Sequence, residues 1–123
     1  MANEITSAVS VTGTKSGSTT GLGKTIQRDL SGSQLWANTQ TIGTSAELIA
    51  FPGDLTTEGI TEIVFYNEDS TNYVELSLDS FTNIFAKIPA GRIMSLLPPS
   101  GSPTIYARAN TAAINLRMAA MGT

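Results

Sequence analysis

The strongest constraint on this chain is a change of rhythm between Gly59 and Leu97. Residues 60–66 are β-branched or aromatic at most positions, which suits a pleated, half-buried surface. Asn67 to Asn72 is then a run of turn formers, whose short polar side chains bond their own backbone. From Tyr73 the period is strictly two: Val74, Leu76 and Leu78 point one way, and Tyr73, Glu75, Ser77 and Asp79 the other. Strand, polar turn, strand predicts a hairpin. A further apolar run, Ile84 to Ile88, leads to a Pro89-Ala90-Gly91 turn and a strand from Arg92 to Leu97. The expectation is a four-stranded antiparallel meander.

The flanking stretches repeat the same grammar. Ile5, Ser7, Val9 and Val11 alternate with Thr6, Ala8 and Ser10, which predicts a short strand. Thr12 to Gly23 is mostly Gly, Ser and Thr and reads as a loop or extended arm. Lys24 to Leu30 alternates weakly and ends at Ser31-Gly32-Ser33. Gln34 to Ile42 is a further strand, with Trp36, Asn38, Gln40 and Ile42 on one face. Ser45 to Phe51 is one helical turn or a short strand, closed by Pro52-Gly53-Asp54. Pro98 to Pro103 is a firm break, because proline cannot donate to a central ladder. Two strands follow, Thr104 to Ala109 and Ala113 to Ala119. In the second, Ile114, Leu116 and Met118 share one face, Asn115 and Arg117 the other. The whole predicts one all-β domain over residues 1–123: an antiparallel β-sandwich or jelly-roll-like barrel of about eight short strands, with a polar N-terminal segment.

Composition narrows the function classes. Ser and Thr number 30 of 123 residues with 11 Gly, which favours strands and turns over helices. The chain has no Cys and no His, so thiolate nucleophiles, disulfides and the commonest general base and transition-metal ligands are all missing. No stretch has the length and apolarity of a membrane span, and no secretory signal is expected at Met1-Ala2-Asn3-Glu4. Gly21-Leu22-Gly23-Lys24-Thr25 looks like the end of a phosphate-binding loop. Ser18 stands where that motif needs its first glycine, and no helix is expected after it. Asn67, Glu68, Asp69 and Asn72 lack the alternating ligands and terminal bidentate Glu of a calcium loop. Carboxylate pairs such as glycosidases use fall only on turns or outward strand positions. The expectation is a protein without catalytic, cofactor or metal residues.

Charge is segregated along the chain. Residues 1–28 sum to +2, residues 29–86 carry nine acids and no base, and residues 87–123 carry four bases and no acid, which returns the net −3. Cross-strand pairing within one sheet accounts for this. So does an acidic face that meets a basic face between subunits. On the second reading Arg92 and Arg108 face Glu62, Glu75 and Asp79 of a neighbour, and Trp36 supplies apolar area at the same interface. The aromatics otherwise serve as core, or as a platform on which sugars stack. No basic stripe interleaved with aromatics points to nucleic acid.

Asn67-Glu68-Asp69-Ser70-Thr71-Asn72-Tyr73-Val74-Glu75 resembles the Asn-x-(Asp/Ser)-x-Thr-Asn-Tyr-Val stretch of small virion proteins of tailed bacteriophages. Ile88-Pro89-Ala90-Gly91 and Ile105-Tyr106-Ala107-Arg108-Ala109-Asn110 are similar to the Pro-x-Gly turn and closing Tyr-Ala-x-Ala strand of those proteins. The resemblance covers roughly residues 40–118 and departs from the pattern at Arg92, where an acidic residue commonly follows the glycine. It implies an all-β capsid cement or decoration subunit, or a tail, adaptor or glycan-binding host-recognition part. Its partners would be copies of itself, with a trimer favoured, and the major capsid protein or other virion proteins. Its location would be the virion, after synthesis in the bacterial host cytoplasm.

Overall fold

The computed structural model describes residues 5–29, 35–98 and 103–122. The chain groups into two compact units, Met1–Ser31 and Gly32–Thr123.

The first unit is a hairpin of two eleven-residue strands, β1 (Ile5–Lys15) and β2 (Ser18–Arg28). They pair antiparallel without interruption from Ile5↔Arg28 to Lys15↔Ser18. Ser16 and Gly17, with φ of 50° and 82°, make the connection. Positive φ at both central residues is what a two-residue primed turn needs to match the twist of its strands. Residues 12–23, expected as a loop or an extended arm, are extended and, beyond that expectation, paired. Their threonines are good strand formers, and the ladder satisfies backbone groups that a loop would leave to water.

The second unit is a sandwich of two four-stranded antiparallel sheets. It contains β3 (Leu35–Ile42), β4 (Glu47–Leu48), a six-residue helix α1 (Gly53–Glu58), β5 (Ile60–Asn67), β6 (Val74–Ser77), β7 (Ala86–Ile88), β8 (Ile93–Leu96), β9 (Tyr106–Ala109) and β10 (Ile114–Gly122). One sheet has the order β3-β10-β5-β8, the other β4-β9-β6-β7. Pairing is nested: β6 with β7, β5 with β8, β4 with β9 and β3 with β10. The chain is thus one long hairpin wrapped on itself, with β5–β10 and β6–β9 closing each sheet. Eight strands nested in this way across two sheets form a jelly roll.

The core lies between the sheets. Ile63, Phe65, Ile114, Leu116 and Met118 come from the first sheet; Val74, Leu76, Ile88 and Ala107 come from the second. Leu55 of α1 joins the same cluster. The alternation along β10 is as expected: Ile114, Leu116 and Met118 are buried, Asn115 and Arg117 exposed.

Three expectations are corrected. Residues 60–66 and 73–78 do not form a hairpin, because β5 and β6 lie in different sheets; of the expected meander only β6–β7 is an adjacent pair. The Asn67–Asn72 stretch is a crossover between sheets. Leu78 is 43% exposed, whereas Ser77 is fully buried, because β6 ends at Ser77 and the chain turns there. The expected helical turn or short strand over residues 45–51 is the short strand β4, and Pro52-Gly53-Asp54, expected only to close it, opens a helix, with the Thr56 N–H donating to the Pro52 carbonyl. Residues 31–33 and 99–102, which fall in two expected breaks, lie outside the described residues.

Candidate functional site

The outward face of the second sheet holds the expected charged residues. Glu75 on β6 stands opposite Lys87 on β7 and Arg108 on β9. The Arg108 Nε–H donates to Glu75 Oε1 at 3.1 Å. Arg108 also lies 4.2 Å from the centre of the Phe81 ring, and Lys87 Nζ 3.8 Å from that of Tyr73. Base, acid and base thus run across three strands, each base capped on an aromatic face. Of the two arrangements the charge pattern allows, pairing within one sheet and contact between subunits, Glu75 and Arg108 show the first: the structure joins them across β6 and β9.

Asp79 organises the β6–β7 loop. Its carboxylate accepts from the Asn83 backbone N–H and Nδ2–H, both at 2.9 Å. Ser77 Oγ lies 2.7 Å from Asp79 Oδ1 and from the Asn83 carbonyl oxygen, and accepts the Phe81 N–H. The Asn83 N–H, then the Ser77 hydroxyl, lower the Asp79 pKa from its ordinary 3.8 to about 2. Ser80 and Phe81 have φ of 58° and 71°, left-handed conformations that are costly for a phenylalanine. The Ser77 and Arg108 contacts hold Phe81 there.

The remaining expected residues are dispersed. Trp36 on β3 makes an edge-on contact with Phe51, ring centres 5.4 Å apart. Glu62 is 8% exposed, and its Oε2 accepts from the Ser95 hydroxyl at 3.2 Å. Arg92 is exposed in the turn before β8, where its carbonyl accepts the Asn67 N–H. Arg92, Glu62 and Trp36 therefore do not join Glu75, Arg108 and Asp79 in one cluster.

Among the described residues no group of three or more acidic side chains is placed to hold a metal ion, and every buried polar side-chain atom has a hydrogen-bond partner.

The hairpin is the feature that sequence reasoning missed. Every residue from Ala8 to Gln27 is exposed. Its register puts Val9, Val11, Lys15, Leu22, Lys24 and Ile26 on one face. Thr6, Ala8, Ser10, Thr12, Thr14, Gly21, Gly23 and Thr25 share the other. One face is apolar and cationic, the other small and hydroxylated. The available signal was Ser16-Gly17 between two stretches rich in Thr and Val.

No protein-family model matches the chain, and comparison with curated proteins and with solved structures returns no significant match. The structure defines an all-β protein with a jelly-roll sandwich and a separate amphipathic hairpin.

Proposed function

We propose that this protein is a non-enzymatic structural subunit of a tailed-phage virion, a capsid cement or decoration protein acting through subunit contacts. The observation that carries the reading is the exposed hairpin with a one-sided apolar, cationic face, attached in sequence to a jelly-roll sandwich. Jelly rolls serve capsids, lectins and cupins, and the fold alone does not choose among them. Cupin-type metal chemistry leans on histidine, which this chain lacks. A lectin would want a platform of free aromatic faces; Lys87 covers a face of Tyr73 and Arg108 a face of Phe81, and the exposed Tyr66 and Phe85 belong to different sheets, on β5 and just before β7. A self-assembling subunit, with a trimer favoured on a capsid's local three-folds, uses what is left: apolar and charged area on a rigid scaffold. The resemblance of residues 67–75, 88–91 and 105–110 to small virion proteins supports the same reading. Electron cryo-microscopy of purified virions is the test. Density for the sandwich on the head surface is expected; its absence from particles contradicts the proposal, and a tail position would favour an adaptor or host-recognition part.

A further inference from the structure

We infer that the hairpin joins a second copy of this chain through the free edge of β1, which pairs antiparallel with the same edge of the other copy about a two-fold axis at Ser10. The inference goes beyond the virion reading and does not rest on it.

The two-residue turn makes Lys15 and Ser18 a hydrogen-bonded pair, and in an antiparallel ladder such pairs alternate with pairs that are not hydrogen-bonded. Odd-numbered residues of β1 therefore aim their N–H and C=O groups at β2. Thr6, Ala8, Ser10, Thr12 and Thr14 aim theirs away, along the edge of a sheet that holds two strands. All five are exposed. A row of unpaired backbone groups is a template for another strand, which natural sheets blunt with proline, a bulge or a charge. Residues 5–14 have no proline and no charge, and their register runs without a bulge. A two-stranded ribbon by itself is marginally stable in water; three or more strands make a stable sheet. The hairpin of a second copy supplies them.

The edge is complementary to itself. Thr6-Ser7-Ala8-Val9-Ser10-Val11-Thr12-Gly13-Thr14 reads nearly alike in both directions. In full antiparallel overlap Ser10 meets the second copy's Ser10, Ala8 its Thr12 and Thr6 its Thr14, while on the other side of the ribbon Val9 meets Val11. Small side chains meet small ones and valine meets valine, pairs that stabilise neighbouring strands. Each outward pair exchanges two backbone hydrogen bonds, about ten in all. Lys15, the one charge on β1, lies at opposite ends of the overlap, about 33 Å from its counterpart. The β2 edge is the poorer one, with Lys24 near its middle and Gly21 and Gly23 beside it. Two copies of β2 in the same arrangement would set their Lys24 side chains on a close diagonal. Growth thus stops at four strands, with β2 outermost on each side. The contact is isologous and uses the edge alone, so it asks nothing of either face of the ribbon. It joins copies two at a time, beside whatever closes the trimer proposed above.

The test is the mass of the full chain in solution, with single-cysteine variants to read the register, since the chain has no cysteine of its own. An even number of copies is expected at micromolar concentration. Opposite Cα atoms of a hydrogen-bonded pair lie about 5.5 Å apart, within disulfide reach. Ser10→Cys is therefore expected to give a covalent dimer on mild oxidation. Thr12→Cys is not, because its two copies would lie about 13 Å apart along the strands. Ser10→Pro removes an outward N–H and should raise the dissociation constant by about 10-fold or more. Thr25→Pro, outward on β2, should leave the mass unchanged. Should Ser10→Pro disturb the hairpin itself, the two cysteine variants still decide. A monomeric or trimeric parent, a mass that grows without limit, equal bridging at the two cysteines, or an oligomer indifferent to Ser10→Pro would overturn the proposal. An even-numbered oligomer bridged at Ser10→Cys but missing from virions would overturn the virion reading and leave the edge pairing standing.

Discussion

Asn67 is the residue on which the wrapped hairpin turns. It is fully buried, and its Nδ2 donates to the Asn72 carbonyl at 2.8 Å and the Ile88 carbonyl at 3.1 Å. Its Oδ1 accepts the Asp69 N–H, while its backbone bonds Arg92 and Gly91. One amide thus ties the β5–β6 crossover to the β7–β8 turn. Asn67→Ala strands two carbonyls and an N–H. It should cost about 2–4 kcal/mol in denaturant unfolding, since each buried group left without a partner costs about 1–3 kcal/mol. A loss below about 1 kcal/mol would show that water replaces the amide. Leu76 and Leu78 give a second contrast. Leu76→Ala should cost about 2–5 kcal/mol, the range for a buried leucine that leaves a cavity. Leu78→Ala, 43% exposed, should cost under about 1 kcal/mol. Equal losses would put Leu78 back in the core.

The β6–β7 loop carries a pH dependence at the scale of the element. Asp79 accepts its backbone and side-chain donors more strongly when ionised, so its pKa is lower folded than unfolded. The contribution is complete above about pH 4–5 and is lost as pH falls through about 2. Asp69 shifts in the same direction, held by the Asn72 and Thr71 N–H groups. Urea midpoints of the parent should therefore fall between pH 4.5 and 2 more steeply than those of Asp79→Asn. Identical slopes would mean that the loop bonds do not survive in solution. The Glu75–Arg108 pair, with side chains 17% and 36% exposed, should give a coupling of about 0.2–1 kcal/mol in a double-mutant cycle. Neither single variant should change the oligomer mass, because the pair closes within one chain.

Much of this was legible. The alternation of β10, and Val74 and Leu76 of β6, follow from period two alone. The strand order did not, because short strands with polar connections read alike whether the next strand is a neighbour or lies across the sandwich. Six residues, Glu68 to Tyr73, separate β5 from β6, more than the two that a tight hairpin uses; that length was the clue to a crossover. Leu78 misled because Ser77 captures the following loop with its hydroxyl, which no hydrophobic pattern encodes. The charge segregation has its local explanation on the second sheet, where Lys87 and Arg108 flank Glu75. The pairing within the arm was missed because Ser, Thr and Gly lower hydropathy without preventing a ladder.

For the molecule as a whole, the sandwich owns the core and the hairpin owns the exposed apolar ribbon. The buried cluster falls entirely within residues 42–120, which gives stability to the sandwich and, on the function proposed above, leaves contact to the hairpin. That division is the central claim, and a chain lacking residues 1–31 tests it most directly. Light scattering and thermal unfolding would be recorded beside the full chain. The expected result is a monomer whose melting temperature lies within about 4 °C of the parent, the shift that a 1 kcal/mol change produces in a domain of this size. A shortened chain that fails to fold, or that keeps the parent's mass, would contradict it.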